Sequence, residues 1–167
     1  MFLRRHWIVL LKIVLVNIFL ACFPIIIYIG LQNYTGFLEQ EAYKAFFTIL
    51  VSAFYLFVIL FAFSNFVDYY LDVWIVTNER IINIEQKGLF SREISEKELG
   101  QMQDITSDVD GFFATVLNYG NVYIQTAAEK ERFVFKEIPF ADEVARRISN
   151  LVSEYQKLNK TIEIDKM

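Results

Sequence analysis

One cysteine, one histidine, two prolines and six glycines are all that 167 residues contain of these types. The lone Cys22 has no partner in the chain, which excludes a disulfide scaffold. A single Cys and a single His, His6, cannot build a Cys/His zinc site. The glycines form no Walker-type loop, no dinucleotide fingerprint and no G-x-S-x-G elbow. Charge is also scarce where the chain begins. Residues 1–67 hold only Arg4, Arg5, Lys12, Glu39, Glu41 and Lys44, a net of +2, whereas residues 68–167 hold thirty charges and a net of −6. Phosphate binding needs a basic face, so an acidic polar half argues against a nucleic-acid partner.

What fills the first part is apolar. Two runs stand out, at about residues 7–30 and 45–67. A run of 22 residues, 8–29, spans roughly 33 Å as a helix, enough for a hydrocarbon core of about 30 Å. Residues 45–67 carry no charge. Residues 1–67 therefore read as a hairpin of two transmembrane helices, which satisfy their own backbone hydrogen bonds in lipid. A cleaved signal peptide fits poorly, because the first run is too long and contains Lys12. Lys12 is placed to snorkel to the headgroups beside Arg4 and Arg5. Asn17 lies deeper and is a candidate to bond Ser52, Ser64 or a second copy. The positive-inside rule puts Arg4 and Arg5 in the cytoplasm and the loop with Glu39 and Glu41 outside, so the C-terminal part returns to the cytoplasm. The expected protein is multi-pass in a plasma membrane, with both termini cytoplasmic.

Beyond Val67 the pattern becomes that of short strands. Residues 72–78 and 80–85 are rich in β-branched and aromatic residues, followed by the turn pair Lys87-Gly88. Further strands are expected at 89–94 and 99–108. A short helical turn fits 112–117. Val122, Ile124 and Thr126, then Phe133 and Phe135, alternate as on half-buried strands. Pro139 is expected to open a helix whose stripe is Phe140, Val144, Ile148, Leu151, Tyr155 and Leu158, with Asp142 and Glu143 in its first turn. Residues 159–167 are expected to be a flexible tail. The fold class is thus a two-helix transmembrane hairpin (1–67) followed by a mainly β domain (68–158): a bent antiparallel sheet or barrel capped by one C-terminal helix.

Several segments carry a family likeness. They are Trp74-Ile-Val-Thr-Asn-Glu-Arg-Ile-Ile, Gly88-Leu-Phe-Ser-Arg, Gln103-Asp104-Ile105, the stretch from Gly111-Phe-Phe through Asn118-Tyr-Gly to Thr126-Ala, and Phe133-Val-Phe-Lys. Together they resemble the bacterial pleckstrin-homology (PH) domain family of the YdbS-like, membrane-flanked type, over about residues 70–157. The resemblance implies a seven-stranded, strongly bent, barrel-like sandwich with a capping helix, and no catalytic residues.

No catalytic, cofactor-binding or metal site is therefore expected, and no enzyme. Asp104, Asp108 and Asp110 have the spacing of a calcium loop, but Thr115 stands where its bidentate Glu is needed. The resemblance would suggest phosphoinositide binding through a basic first hairpin, as in many eukaryotic PH domains, but here Thr77-Asn78-Glu79-Arg80 offsets its one arginine with a glutamate, so such binding is not expected. Lys87 and Arg92, and Lys130 and Arg132, are diluted by Glu85, Glu129 and Glu131. Tyr69, Tyr70 and Trp74 are candidates for membrane contact, with Trp74 equally suited to the core. The function expected is a membrane-anchored interaction module presenting its domain to a protein partner or a second copy. The alternatives are a lipid-headgroup sensor and an oligomeric channel or transporter subunit.

Overall fold

The structure, a computed structural model, describes residues 1–34, 41–126 and 133–164, with the side chains of 33, 34 and 160–164 left aside. It divides into two compact units: Ile8–Val67, and Met1–Trp7 together with Asp68–Met167.

The first unit is a helical pair. Helix α1 runs Trp7–Tyr34 and helix α2 runs Glu41–Leu71. Their stretches Trp7–Gln32 and Glu41–Leu71 are long and apolar enough to cross a membrane. Phe23 meets Phe54 and Tyr28 meets Phe47 across the pair. The Tyr55 hydroxyl donates to the Ala21 carbonyl at 3.0 Å, in the turn that Pro24 deprives of a backbone donor. Helix α2 outruns its expected end at Val67, because residues 68–71 contain neither Gly nor Pro to stop it. The Asp72 N–H donates to the Asp68 carbonyl at 3.1 Å and closes the last turn.

Among its described residues the second unit holds seven strands. They are β1 (Phe2–Arg4), β2 (Val73–Val76), β3 (Arg80–Lys87), β4 (Ser91–Glu98), β5 (Met102–Asp108), β6 (Tyr119–Thr126) and β7 (Phe133–Pro139). Helix α3 (Phe112–Leu117) joins β5 to β6, and helix α4 (Ala141–Ile164) follows β7. One antiparallel sheet has the order β1-β2-β3-β4 and the other β5-β6-β7. Among the described residues the sheets do not close into the barrel that the sequence left open as an alternative.

Strand β1 changes the expected division of the chain. Residues 1–7, read from sequence as the start of the membrane segment, belong with the sheets. Leu3 pairs with Trp74, Phe2 with Ile75 and Arg4 with Val73. Three residues are too few to show a period of two, so the strand could not be read in advance. Leu3 points into the core and its two neighbours point out.

That core joins Leu3, Trp74, Val76, Ile81 and Leu99 from the first sheet side to Val122, Ile124, Phe135 and Ile138 from the second. Trp74 is 2% exposed and meets Phe135 at 5.4 Å, so it is a core residue and makes no membrane contact. Val122, Ile124 and Thr126 are all buried, as their alternation requires. Fully burying a side chain the size of Phe135 is worth about 2–3 kcal/mol.

Helix α4 covers the open side of this core with Ala141, Val144, Ala145, Ile148 and Val152. The expected stripe holds at its centre but not at its ends, because Phe140 and Leu158 are exposed. Pro139 closes β7 instead of opening the helix. Phe140 adopts φ 53°, donates its N–H to the Asn118 carbonyl at 2.7 Å and accepts from the N–H of Val144, so the turn forms one residue later. The helix runs on to Ile164, where a tail was expected, since 159–164 hold no Gly or Pro. The β3–β4 turn is also displaced: β4 starts at Ser91, leaving Leu89 and Phe90 in the turn. Gly88, with φ 73°, makes that turn possible.

Candidate functional site

The densest polar arrangement in the second unit lies where the chain enters and leaves the sheets. Asp72, the single residue between α2 and β2, is fully buried. Its Oδ1 accepts from the Gln86 N–H at 2.7 Å, and its Oδ2 pairs with the Arg5 guanidinium at 2.5 Å. Asp68, one turn earlier, accepts from the Gly88 N–H at 2.9 Å. Gln86 donates from its side chain to the Gly88 carbonyl at 2.6 Å. The link between β1 and α1, the last turn of α2 and the β3–β4 turn are thus tied together. Burial pushes the Asp72 carboxyl above its ordinary value, while the Gln86 hydrogen bond and Arg5 oppose that rise. The chemistry of this cluster is a clamp: its charges face each other and leave no group directed at an open cavity.

His6 sits on the other sheet's side of the same region. It is buried. Its ring stacks on Tyr119 at 5.2 Å, and its backbone N–H donates to the Glu137 carbonyl at 2.6 Å. A register shift between Gly120 and Val122 and a φ of 51° at Glu137 turn that carbonyl toward His6. Asn121 holds the bend by accepting from the Glu137 N–H at 2.9 Å. Burial lowers the His6 pKa, and Glu137 partly offsets this.

The basic side chains considered for headgroup binding do not converge. Arg80 bonds Glu96, with Glu79 also near, which raises its pKa through the Glu96 hydrogen bond above all. Lys87 pairs with Glu93, and Arg147 with Glu143 at 2.6 Å along one helix face. Arg92 reaches the Gln86 side-chain carbonyl at 3.4 Å. Lys136 bonds Glu85 at 2.8 Å across the two sheets, and this bond holds the Glu85 carboxyl below its ordinary value. Lys130 and Arg132 lie outside the described residues. Asp104 and Asp108 lie on β5, and among the described residues no group of three or more His, Cys, Asp or Glu is placed to hold a metal ion.

In the helical pair, Asn17 donates to the Ile13 carbonyl of its own helix at 2.7 Å, not to Ser52 or Ser64. It lines a groove of about 450 Å³ with Tyr55, Val58 and Ile59, and its Oδ1 has no partner there.

Sequence reasoning missed one group of side chains. Phe90, Phe112, Phe113, Val116 and Phe140 are all strongly exposed. The first was assigned to a strand and the last to the helix stripe. Only the adjacent pair Phe112-Phe113 gave a signal, since on a single turn of helix both cannot face one core.

A mainly β unit of two antiparallel sheets, capped by a C-terminal helix and preceded by two long apolar helices, defines the class of this protein. Its sequence matches the family described as Bacterial PH domain over residues 8–152, and the chain belongs to that family. The match begins after β1, so the strand ahead of α1 lies outside it. Among solved structures it is similar to a DUF1696 family protein with a pleckstrin-homology domain from Shewanella loihica PV-4. The identity there is 16% and the TM-score 0.38, covering 50% of this chain and 69% of that one. A search of the curated proteins finds no match.

Proposed function

We propose that this protein is a membrane-anchored, non-enzymatic interaction module, whose two apolar helices cross the bilayer and hold a PH-like unit at its cytoplasmic face. The observation that carries this reading is the pairing of β1 with β2. The chain before α1 and the chain after α2 form one sheet, so both ends of the hairpin lie in one compartment and the helices between them cross an even number of times. The helices themselves are almost wholly exposed, with large apolar side chains such as Phe19, Ile49 and Leu56 on their surface. A water-soluble protein does not expose apolar area on this scale, whereas lipid accepts it. A removable signal sequence is disfavoured on the same ground, since cutting after α1 would take β1 out of the sheet.

An edge open to a partner is β4, which pairs with β3 on one side only among the described residues. Its side chains are mostly exposed and charged, including Arg92, Glu93, Glu96 and Glu98. Charges on an edge strand oppose indiscriminate pairing and admit a partner of complementary pattern. Retention in membranes washed with alkaline carbonate tests the anchor, and release into the wash refutes it. Cross-linking in those membranes, followed by isolation through a C-terminal tag, should return a stoichiometric partner or a second copy. Recovery of the monomer alone refutes the module.

A further inference from the structure

The exposed aromatic side chains of the sheet unit are gathered at one end of it. Phe90 is 99% exposed at the tip of the β3–β4 turn. That turn is fixed to the last turn of α2 by the bond from the Gly88 N–H to Asp68. Phe112 and Phe113, 76% and 68% exposed, and Val116 stand on α3. Helix α3 leads directly into Tyr119, on which His6 stacks. Phe140 is joined to the end of α3 through its hydrogen bond to the Asn118 carbonyl. So the β3–β4 turn, α3 and the start of α4 all surround the points where the chain leaves for the helices, at Trp7 and Asp68. The opposite end, with Thr77, Asn78 and Glu79, is polar and exposed.

We propose that this end of the unit is a bilayer-contact surface, in which Phe90, Phe112, Phe113, Val116 and Phe140 enter the boundary between headgroups and acyl chains of the membrane that the helices span. The inference rests on the membrane reading above. What commits the surface to lipid is its tether. One residue, Asp72, separates α2 from β2, and two residues, Arg5 and His6, separate β1 from α1. Two extended residues reach about 7 Å, so this end of the unit cannot leave the interface in which helix ends, Trp7 and Tyr70 sit. Aromatic rings are the side chains that this zone accepts best. Of the charges near the surface, Lys87 is paired with Glu93, Lys136 with Glu85 and Arg5 with Asp72, while Arg4 lies over the Tyr70 ring and Arg92 reaches the Gln86 side chain. The contact made by the five side chains themselves is apolar.

The test uses the full chain carrying Cys22→Ala, reconstituted in phosphatidylcholine vesicles. Single cysteines are introduced as Phe90→Cys, Phe113→Cys, Asn78→Cys and, within α2, Phe57→Cys, and each is labelled with an environment-sensitive fluorophore. Blue-shifted emission at 90 and 113, quenched by nitroxide-bearing lipids and unchanged by added salt, is expected, with no quenching at 78. Quenching at 57 but not at 90 and 113 overturns the proposal and leaves the spanning helices in place. No quenching at 57 overturns the membrane reading, and the proposal with it. A blue shift at 90 and 113 without lipid quenching means that a second copy of the chain covers the surface, which also overturns the proposal.

Discussion

At the residue scale, the sharpest demands fall on Asp72, His6 and Gly120. Asp72 is a buried carboxylate with two fixed partners, so Asp72→Ala leaves the Arg5 guanidinium and the Gln86 N–H without their acceptor. Removing one side of such a pair costs about 3–5 kcal/mol. We expect a lower thermal midpoint for the detergent-solubilised chain, with Asp72→Asn milder because it keeps an acceptor for Gln86. Gly120 tolerates no Cβ, which would stand 2.4 Å from the Asp108 carbonyl oxygen. Gly120→Ala is expected to cost about 2 kcal/mol or more, and Gly30→Ala almost nothing, since Gly30 has open space around it. His6 supplies a pH dependence. Its folded pKa lies below the ordinary 6.5 because burial disfavours the charged ring. Its contribution to stability is complete above pH 6.5 and is lost as pH falls from there through the lowered folded value. Melting curves between about pH 5 and pH 8 should show this loss, and His6→Phe should flatten it, because phenylalanine keeps the stack on Tyr119 but does not titrate.

At the scale of elements, β1 is the decisive piece. It contributes one core side chain, Leu3, and a backbone ladder that continues where the Val76 N–H donates to the Met1 carbonyl at 2.8 Å. Leu3→Ala is expected to cost about 2–3 kcal/mol, whereas Phe2→Ala, which faces outward, should stay within about 0.5 kcal/mol. Hydrogen exchange at the Val76 amide should accelerate in Leu3→Ala and not in Phe2→Ala. Much of the fold was legible beforehand because its elements carry strong periods. Val122, Ile124 and Thr126 announce β6, and Val144, Ile148 and Leu151 announce α4. What was not legible depends on contacts distant in sequence. Strand β1 acquires its identity only from Trp74, 71 positions after Leu3. The helix start moved from Pro139 to Ala141 because Phe140 is claimed by Asn118. The clamp of Arg5, Asp72, Gln86 and Asp68 spans three segments, and none of the four residues stands in a motif. The aromatic end of the unit was hidden for the same reason, as Phe90 and Phe140 each looked like part of an apolar pattern.

At the scale of the whole molecule, the central claim is the proposed path of the chain across a bilayer. Two apolar helices separate two pieces of one sheet, and hydrogen-bonded partners such as Leu3 and Trp74 must share a compartment. On the proposed membrane reading, the positive charges of Arg4 and Arg5 favour the cytoplasm for that compartment. The most direct measurement is cysteine accessibility in intact cells expressing the Cys22→Ala chain. Single cysteines are placed at Phe2 in β1, at Gln40 between the helices and at Asn78 in the sheet unit. A membrane-impermeant maleimide should label position 40 in intact cells, and positions 2 and 78 only after permeabilisation. Labelling of 2 and 78 on opposite sides, or of all three before permeabilisation, would contradict the hairpin and the shared sheet together.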